Sequence, residues 1–273
     1  MLQYPEIKII ASQMQAELIG KTIKSGSLVK SNSNMYMAEN NAAQYSLLNG
    51  GTIRHIEMLA PDIYIKLDNG YGILICQSGG KILFNKSEPP KNHNIIFNFT
   101  DGSSLTYTMM LHSMGFHAIS HDDWQHRTQT STKFDPLGNN TFEEYLSFIN
   151  NRPEEEIKKP VKTFLATNIL GVISSFAAEI LLYARVHPSV QARKLNKEQH
   201  KRIYDSMKSV LTTAYEKGGR VNEFNLYGQK GHYVAMAERK HIGGSCPLCG
   251  NKLGKTTVGG VTAFCPNCQS HNN

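Results

Sequence analysis

Four of the five cysteines in this chain of 273 residues form two Cys-x-x-Cys pairs near its C-terminus, Cys246-Pro-Leu-Cys249 and Cys265-Pro-Asn-Cys268. Each pair turns tightly enough for both sulfurs to reach one ion, and two such knuckles complete a tetrahedron. Four thiolates leave no open coordination position, so the spacing predicts one structural Zn²⁺ rather than a catalytic metal. Two disulfides or free thiols are the alternative, but nothing marks the chain as secreted. The stretch between the pairs suits a metal-closed β-hairpin: Lys255 to Val258, a Gly259-Gly260 turn, then Val261 to Phe264.

The remaining chemistry is sparser. Glu6 follows Pro5 at the head of a helix, where a carboxylate is either a site acid or a charge favoured by the helix dipole. Cys76 lies in an apolar run and reads as a small hydrophobe. The acidic run Glu154-Glu-Glu156 reads as a solvated face. Met109, Met110 and Met114 suit core packing or an adaptable apolar patch. The formal net charge of +7 favours a polyanionic partner such as nucleic acid, or serves solubility. The N-terminus lacks a basic segment followed by an apolar run, and no apolar stretch is long enough to span a bilayer. A cytoplasmic protein without a membrane partner is expected.

The elements that position these residues change character along the chain. Ile7, Ile10, Met14 and Leu18 fall near a 3.6-residue period, predicting an amphipathic helix from Pro5 to about Ile19 that ends at Gly20. From Lys21 to about His121, short runs rich in Ile, Tyr, Leu and Phe alternate with turn signals such as Asp68-Asn69-Gly70 and Asp101-Gly102. Ile63–Leu67, Ile73–Cys76, Ile95–Phe99 and Leu105–Thr108 read as antiparallel strands, giving a β-sandwich or barrel with the first helix packed on it. The polar stretch 122–140 is expected to be a linker. Helical periodicity then returns. Thr141-Phe-Glu-Glu144 is a capping-box start, and further helices begin at Pro160, at Ser174 (running to Ala184) and at Asn196 (running to Lys217). The expected organisation is α+β: 1–121 a β domain, 122–140 a linker, 141–240 a helical domain and 241–273 the four-cysteine finger.

That order resembles the formamidopyrimidine-DNA glycosylase and endonuclease VIII (Fpg/Nei) family of base-excision repair enzymes over essentially the whole chain. The resemblance rests on several motifs. These are Pro5-Glu6, Lys159-Pro-Val-Lys162-Thr-Phe-Leu165, Gly171 with Ala177-Ala-Glu179, His187-Pro188, Gly218-Gly219, and Val258-Gly259-Gly260 running to Cys265-Pro-Asn-Cys268-Gln269. It implies an N-terminal β-sandwich, a helix–two-turn–helix domain and a zinc finger, with double-stranded DNA held in a basic cleft between domains. It also implies a chemistry in which a flipped base is excised by attack of an N-terminal proline amine, with a neighbouring glutamate moving protons.

The chain departs from that pattern where the chemistry should be. Leu2 stands at the proline position and Gln3, which cannot exchange a proton near neutral pH, at the glutamate position. A methionine before a residue as large as leucine is usually retained. Pro61 aligns with a family lysine, Val261 with the hairpin arginine that grips phosphates, and Gly171-Val-Ile-Ser174 with a phosphate-clasping turn that ends in asparagine. Ser78 replaces a void-filling methionine. Met109-Met-Leu-His-Ser113 replaces the segment that carries an arginine and a phenylalanine, unless His112 or Phe116 substitutes. Glu6 remains as a residual acid, and Lys162, Lys81, Lys91, His93 and Ser174 as candidate DNA contacts.

The resemblance with these departures implies a monomeric DNA-binding homologue with weak or absent glycosylase and lyase activity, and DNA binding weaker than the family's. One alternative is an active enzyme using the Met1 amine or a lysine such as Lys81. Another is a protein-interaction role for a scaffold that no longer touches DNA.

Overall fold

The computed structural model describes residues 1–28, 43–76, 79–109 and 115–270. Ser78, Met110, His112 and Met114, and most of the stretch 109–113, lie outside them. The chain divides into two compact units, Met1–Ser131 with Lys217–His232, and Thr132–Glu216 with Tyr233–Asn273.

The first unit opens with helix α1 (Tyr4–Leu18), whose buried stripe of Ile7, Ile10, Met14 and Leu18 follows the predicted period. Two four-stranded antiparallel sheets follow. One has the order β1 (Ile23–Leu28), β6 (Ile95–Phe99), β7 (Ser104–Met109), β5 (Gly80–Asn85). The other has the order β2 (Ile53–Leu59), β3 (Asp62–Leu67), β4 (Tyr71–Ile75), β8 (Phe116–Ser120). Phe97 and Tyr107 of the first sheet meet Phe116 of the second at ring-centroid distances of 6.0 and 5.0 Å. The Tyr45 hydroxyl ties in by donating to the Phe116 carbonyl at 2.9 Å. This is a β-sandwich joined by aromatic side chains that alternate inward along their strands.

The stretch 122–140, expected to be a linker, begins inside a helix, α2 (His121–Gln129), capped by the Ser120 hydroxyl. Polar residues surround α2 except at Trp124, which stacks on Tyr64 at 4.9 Å and donates its indole N–H to Glu57 at 2.6 Å. One aromatic anchor and an Arg127–Asp62 ion pair hold it, so no apolar period announces it. The segment Lys217–His232, assigned from sequence to the helical domain, returns to the first unit. There the Leu226 carbonyl accepts the Phe84 N–H at 3.0 Å and covers the β5 edge.

In the second unit Thr141 and Glu144 form the predicted capping box at α3 (Phe142–Asn150). A short helix α4 (Glu154–Ile157), α5 (Val161–Asn168), α6 (Ser174–Ala184) and α7 (Lys197–Glu216) follow. Phe176, Ala177, Ile180, Leu181 and Ala184 of α6 are buried in the core together with Ile203, Met207 and Leu211 of α7. The next face of α6, Ala178 and Leu182, packs against Leu253, Ala263 and the cysteines of the C-terminal hairpin, β9 (Gly254–Thr257) with β10 (Val261–Phe264). Among the described residues no helix is long and apolar enough to cross a membrane.

Candidate nucleic-acid interface and metal centre

Leu2 and Gln3 are each 1% exposed, and Gln3 is the N-cap of α1. The Gln3 N–H donates to Glu6 Oε2 at 2.9 Å. Glu6, itself buried, is gripped by Arg220: the backbone N–H reaches Oε1 at 3.0 Å, and the guanidinium reaches Oε1 and Oε2 at 3.1 Å each. The same guanidinium donates to the Met1 carbonyl at 2.9 Å and to Glu223 at 3.3 Å. Glu223 also accepts the Met1 amine at 3.3 Å. The loop geometry follows from glycine: Gly219 has φ +91, and a Cβ there would come within 3.0 Å of Glu6 Cγ. Glu6 is thus a structural anion that ties the N-terminus to a segment more than 200 residues away. Arg220 and Glu223 were missed in the sequence, where the Gly218-Gly219 pair before Arg220 was their only local signal. Pro61 sits apart from this network, in the turn that pairs Leu59 with Asp62.

Lys162, Ser174 and Val261 are gathered in the second unit around the hairpin turn. Lys162 is only 1% exposed, and its ammonium donates to the carbonyls of Val258 at 2.7 Å and of Gly259 and Gly260 at 3.4 Å. Burial pushes the lysine down to about 8, while the three carbonyl dipoles favour its charged form. The Ser174 hydroxyl donates to the Gly259 carbonyl at 3.1 Å. Gly259 and Gly260 adopt φ +55 and +101, a turn closed to most side chains. Val261 begins β10 opposite Thr257. Lys162, read from sequence as a phosphate contact or an exposed helix lysine, is buried on α5 and holds the carbonyls of the hairpin turn.

The four sulfurs of Cys246, Cys249, Cys265 and Cys268 lie within 4.8 Å of one another, with Cys249 and Cys265 only 3.5 Å apart. Tetrahedral thiolates at a zinc–sulfur distance of ~2.3 Å stand about 3.8 Å apart, so the donor set fits a four-coordinate ion. Backbone N–H groups of Leu248 and Cys268 point at Cys246 and Cys265 sulfurs at 3.4 and 3.3 Å, as thiolate ligands require. Burial, then the neighbouring sulfurs, push Cys268 up to about 12, a cost that a bound cation reverses. Gln269 accepts the Cys265 N–H at 2.8 Å and donates to the Val186 carbonyl at 2.9 Å, fixing the knuckle to the chain after α6. Buried Glu179 of α6 accepts from the Tyr233 hydroxyl at 3.0 Å and the Ala237 N–H at 2.7 Å, anchoring the segment that leads to the finger. Burial raises its carboxyl above the ordinary range.

Lys81, Lys91 and His93 come to one end of the first sheet. Lys81 pairs across the ladder with Thr108, whose hydroxyl donates to the Asn92 carbonyl at 2.9 Å. His93 Nδ1 lies 2.7 Å from the Pro90 carbonyl, and Lys91 is exposed. Cys76 is half-buried beside the Tyr64–Trp124 cluster, and burial raises its thiol to about 11.

A helix-led β-sandwich, a helical unit and a four-cysteine hairpin define an α+β protein of the DNA glycosylase class. Residues 1–110 match the formamidopyrimidine-DNA glycosylase N-terminal domain and residues 135–225 the formamidopyrimidine-DNA glycosylase H2TH domain. The chain belongs to the Fpg/Nei family. It is 27% identical to the formamidopyrimidine-DNA glycosylases of Lactobacillus helveticus and Cytobacillus firmus, over 98% of this chain and 99% and 100% of theirs. The fold matches the crystal structure of the Fpg protein from Thermus thermophilus with a TM-score of 0.81 at 21% identity, covering 98% of each chain. It matches Lactococcus lactis Fpg in complex with abasic-site DNA with a TM-score of 0.82 at 18% identity, over 98% of this chain and 99% of that one.

Proposed function

We propose that this chain is a duplex-DNA-binding member of the family that lacks the proline–glutamate excision chemistry. The observation that carries the reading is the burial of Leu2 and Gln3, each 1% exposed, at the positions of the nucleophile and the acid/base group. An amide side chain moves no proton near neutral pH, and loss of a general acid/base alone costs about 10²–10⁴-fold. DNA binding is supported by the family, by its solved complexes with DNA and by the basic residues Lys81, Lys91 and His93 at one sheet end. Binding weaker than the family's is expected, because Val261 brings no charge to the hairpin and the Lys162 ammonium is engaged by carbonyls. One structural Zn²⁺ is held by Cys246, Cys249, Cys265 and Cys268. The chain works as a monomer.

The test is borohydride trapping on a labelled duplex with one abasic site, beside salt titrations of binding. No adduct above a lysine-rich control protein, with binding that weakens as salt rises, is the expected pair of results. Binding that ignores salt sinks the DNA reading.

One observation favours a second reading, in which imine chemistry is retained. The Met1 amine is primary, half-exposed and 3.3 Å from a carboxylate, that of Glu223. Its lone pair can attack the C1′ aldehyde of an abasic site, with Glu223 taking the ammonium proton and water leaving to form the imine. A trapped adduct mapping to Met1 establishes this reading, and one mapping to Lys81 places the chemistry on that lysine instead.

A further inference from the structure

Two lysines of the first unit share one aromatic ring. Lys81 Nζ stands 3.9 Å from the centroid of the Phe224 ring and Lys230 Nζ 5.7 Å from it. The residues that present them are fixed. Phe224 and Lys230 are joined by an antiparallel bridge. The turn between them is closed by Asn225, whose N–H reaches the Gln229 carbonyl at 2.9 Å and whose Oδ1 accepts the Gln229 and Tyr227 N–H groups at 2.9 and 3.0 Å. The Leu226–Phe84 hydrogen bond then fastens this turn to β5, the strand that carries Lys81.

A ring face orients an ammonium group without neutralising it. Among the described residues neither lysine has a carboxylate partner, and the nearby acids are taken: Glu223 by Met1 and Arg220, Glu17 by Lys86 at 3.8 Å. Two positioned like charges repel each other, and an external anion relieves that repulsion. Lys91 and His93 lie just across β7, because the hydroxyl of Thr108, the ladder partner of Lys81, donates to the Asn92 carbonyl. The anion that satisfies such a row is extended and repeats its charge. We infer that Lys81 and Lys230, oriented by Phe224, form a phosphate-docking point for a nucleic-acid backbone. The ring serves as a platform for the lysines rather than for a base, since an ammonium already occupies its face.

This inference rests on the DNA-binding reading and has a separate test. Fluorescence polarisation with an undamaged labelled duplex is followed across a salt series for the full-length protein, Lys81→Met, Lys230→Met, the double variant and Phe224→Leu. Folding of each is checked by Trp124 emission. Each lysine removed is expected to make the slope of log K against log salt shallower by about 0.9, and the pair by about 1.8. Phe224→Leu keeps both charges, so its slope should hold while affinity falls about two- to fivefold. Lys201→Met, which removes the partner of Asp205 on α7, is the control expected to leave the slope unchanged. A steep wild-type slope that the double variant leaves unaltered overturns the docking point while DNA binding stands. A wild type with no salt-dependent binding overturns both.

Discussion

The Glu6–Arg220 pair gives a quantitative test of the claim that the Glu6 carboxylate serves structure. Glu6 is 3% and Arg220 7% exposed, so removing one partner strands a charge in the interior. Such losses run to about 3–5 kcal/mol. Arg220→Met still leaves Glu6 two backbone donors, the N–H groups of residues 3 and 220, which places the cost near the lower end, about 3 kcal/mol. Glu6→Gln should cost less, about 2 kcal/mol, because the guanidinium keeps the Met1 carbonyl and Glu223. The double variant strands no charge, so its loss should fall well short of the sum of about 5 kcal/mol. Trp124 is the single tryptophan, is buried and belongs to the first unit, so its emission during urea unfolding reports the unit that holds the pair. At about 2–4 °C per kcal/mol, Arg220→Met should also melt about 6–12 °C lower. An Arg220→Met variant within about 0.5 kcal/mol of wild type, or strictly additive single losses, would refute the reasoning.

Other expectations follow from single sites. Burial holds His200 down to about 4, so the folded state excludes a proton that the unfolded chain accepts near 6.5. Stability should therefore be intact at neutral pH and fall as pH drops from about 6.5 towards 4, by at most about 3 kcal/mol. His200→Leu should flatten that part of a far-ultraviolet circular dichroism acid titration. Elemental analysis should find one zinc per chain, and its chelation should expose the apolar cluster of Ala178, Leu182, Leu253 and Ala263 to a dye such as ANS. Lys162→Met should speed amide exchange at Val261 and Thr262, because the turn carbonyls lose their ammonium. Gly231→Ala places a Cβ 2.1 Å from the Gly219 carbonyl oxygen, and should cost more than about 2 kcal/mol in urea unfolding.

Local patterns were legible, and contacts distant in sequence were not. The α1 stripe, the Thr141–Glu144 capping box, the span of α6 and the Gly259-Gly260 turn each depend on neighbours within a few residues, and the structure has all four. Helix α2 escaped because a single buried aromatic, Trp124, replaces a periodic apolar face. Lys162 was legible as a helix lysine and candidate phosphate contact but not as a buried one, since its acceptors are carbonyls 96–98 residues later. Arg220 and Glu223 escaped for the same reason. Carbonyls carry no sequence signature, and an ion pair across 214 positions leaves none either.

The residues at positions 2 and 3 make sense once Arg220 is in view. A leucine 1% exposed contributes about 1.5–3 kcal/mol of burial, which a proline kept free for attack could not supply. A glutamate at position 3 would be buried as Gln3 is, next to a carboxylate that already holds the Arg220 guanidinium. A second buried carboxylate beside Glu6 would add desolvation and like-charge repulsion, whereas a neutral amide there costs only its hydrogen bonds. Gln3 is therefore matched to Glu6, whose Oε2 accepts its backbone N–H. Glu6 and Arg220 fix the joint between the N-terminus and the segment after α7. That joint favours an uncharged neighbour at position 3, which Gln3 supplies.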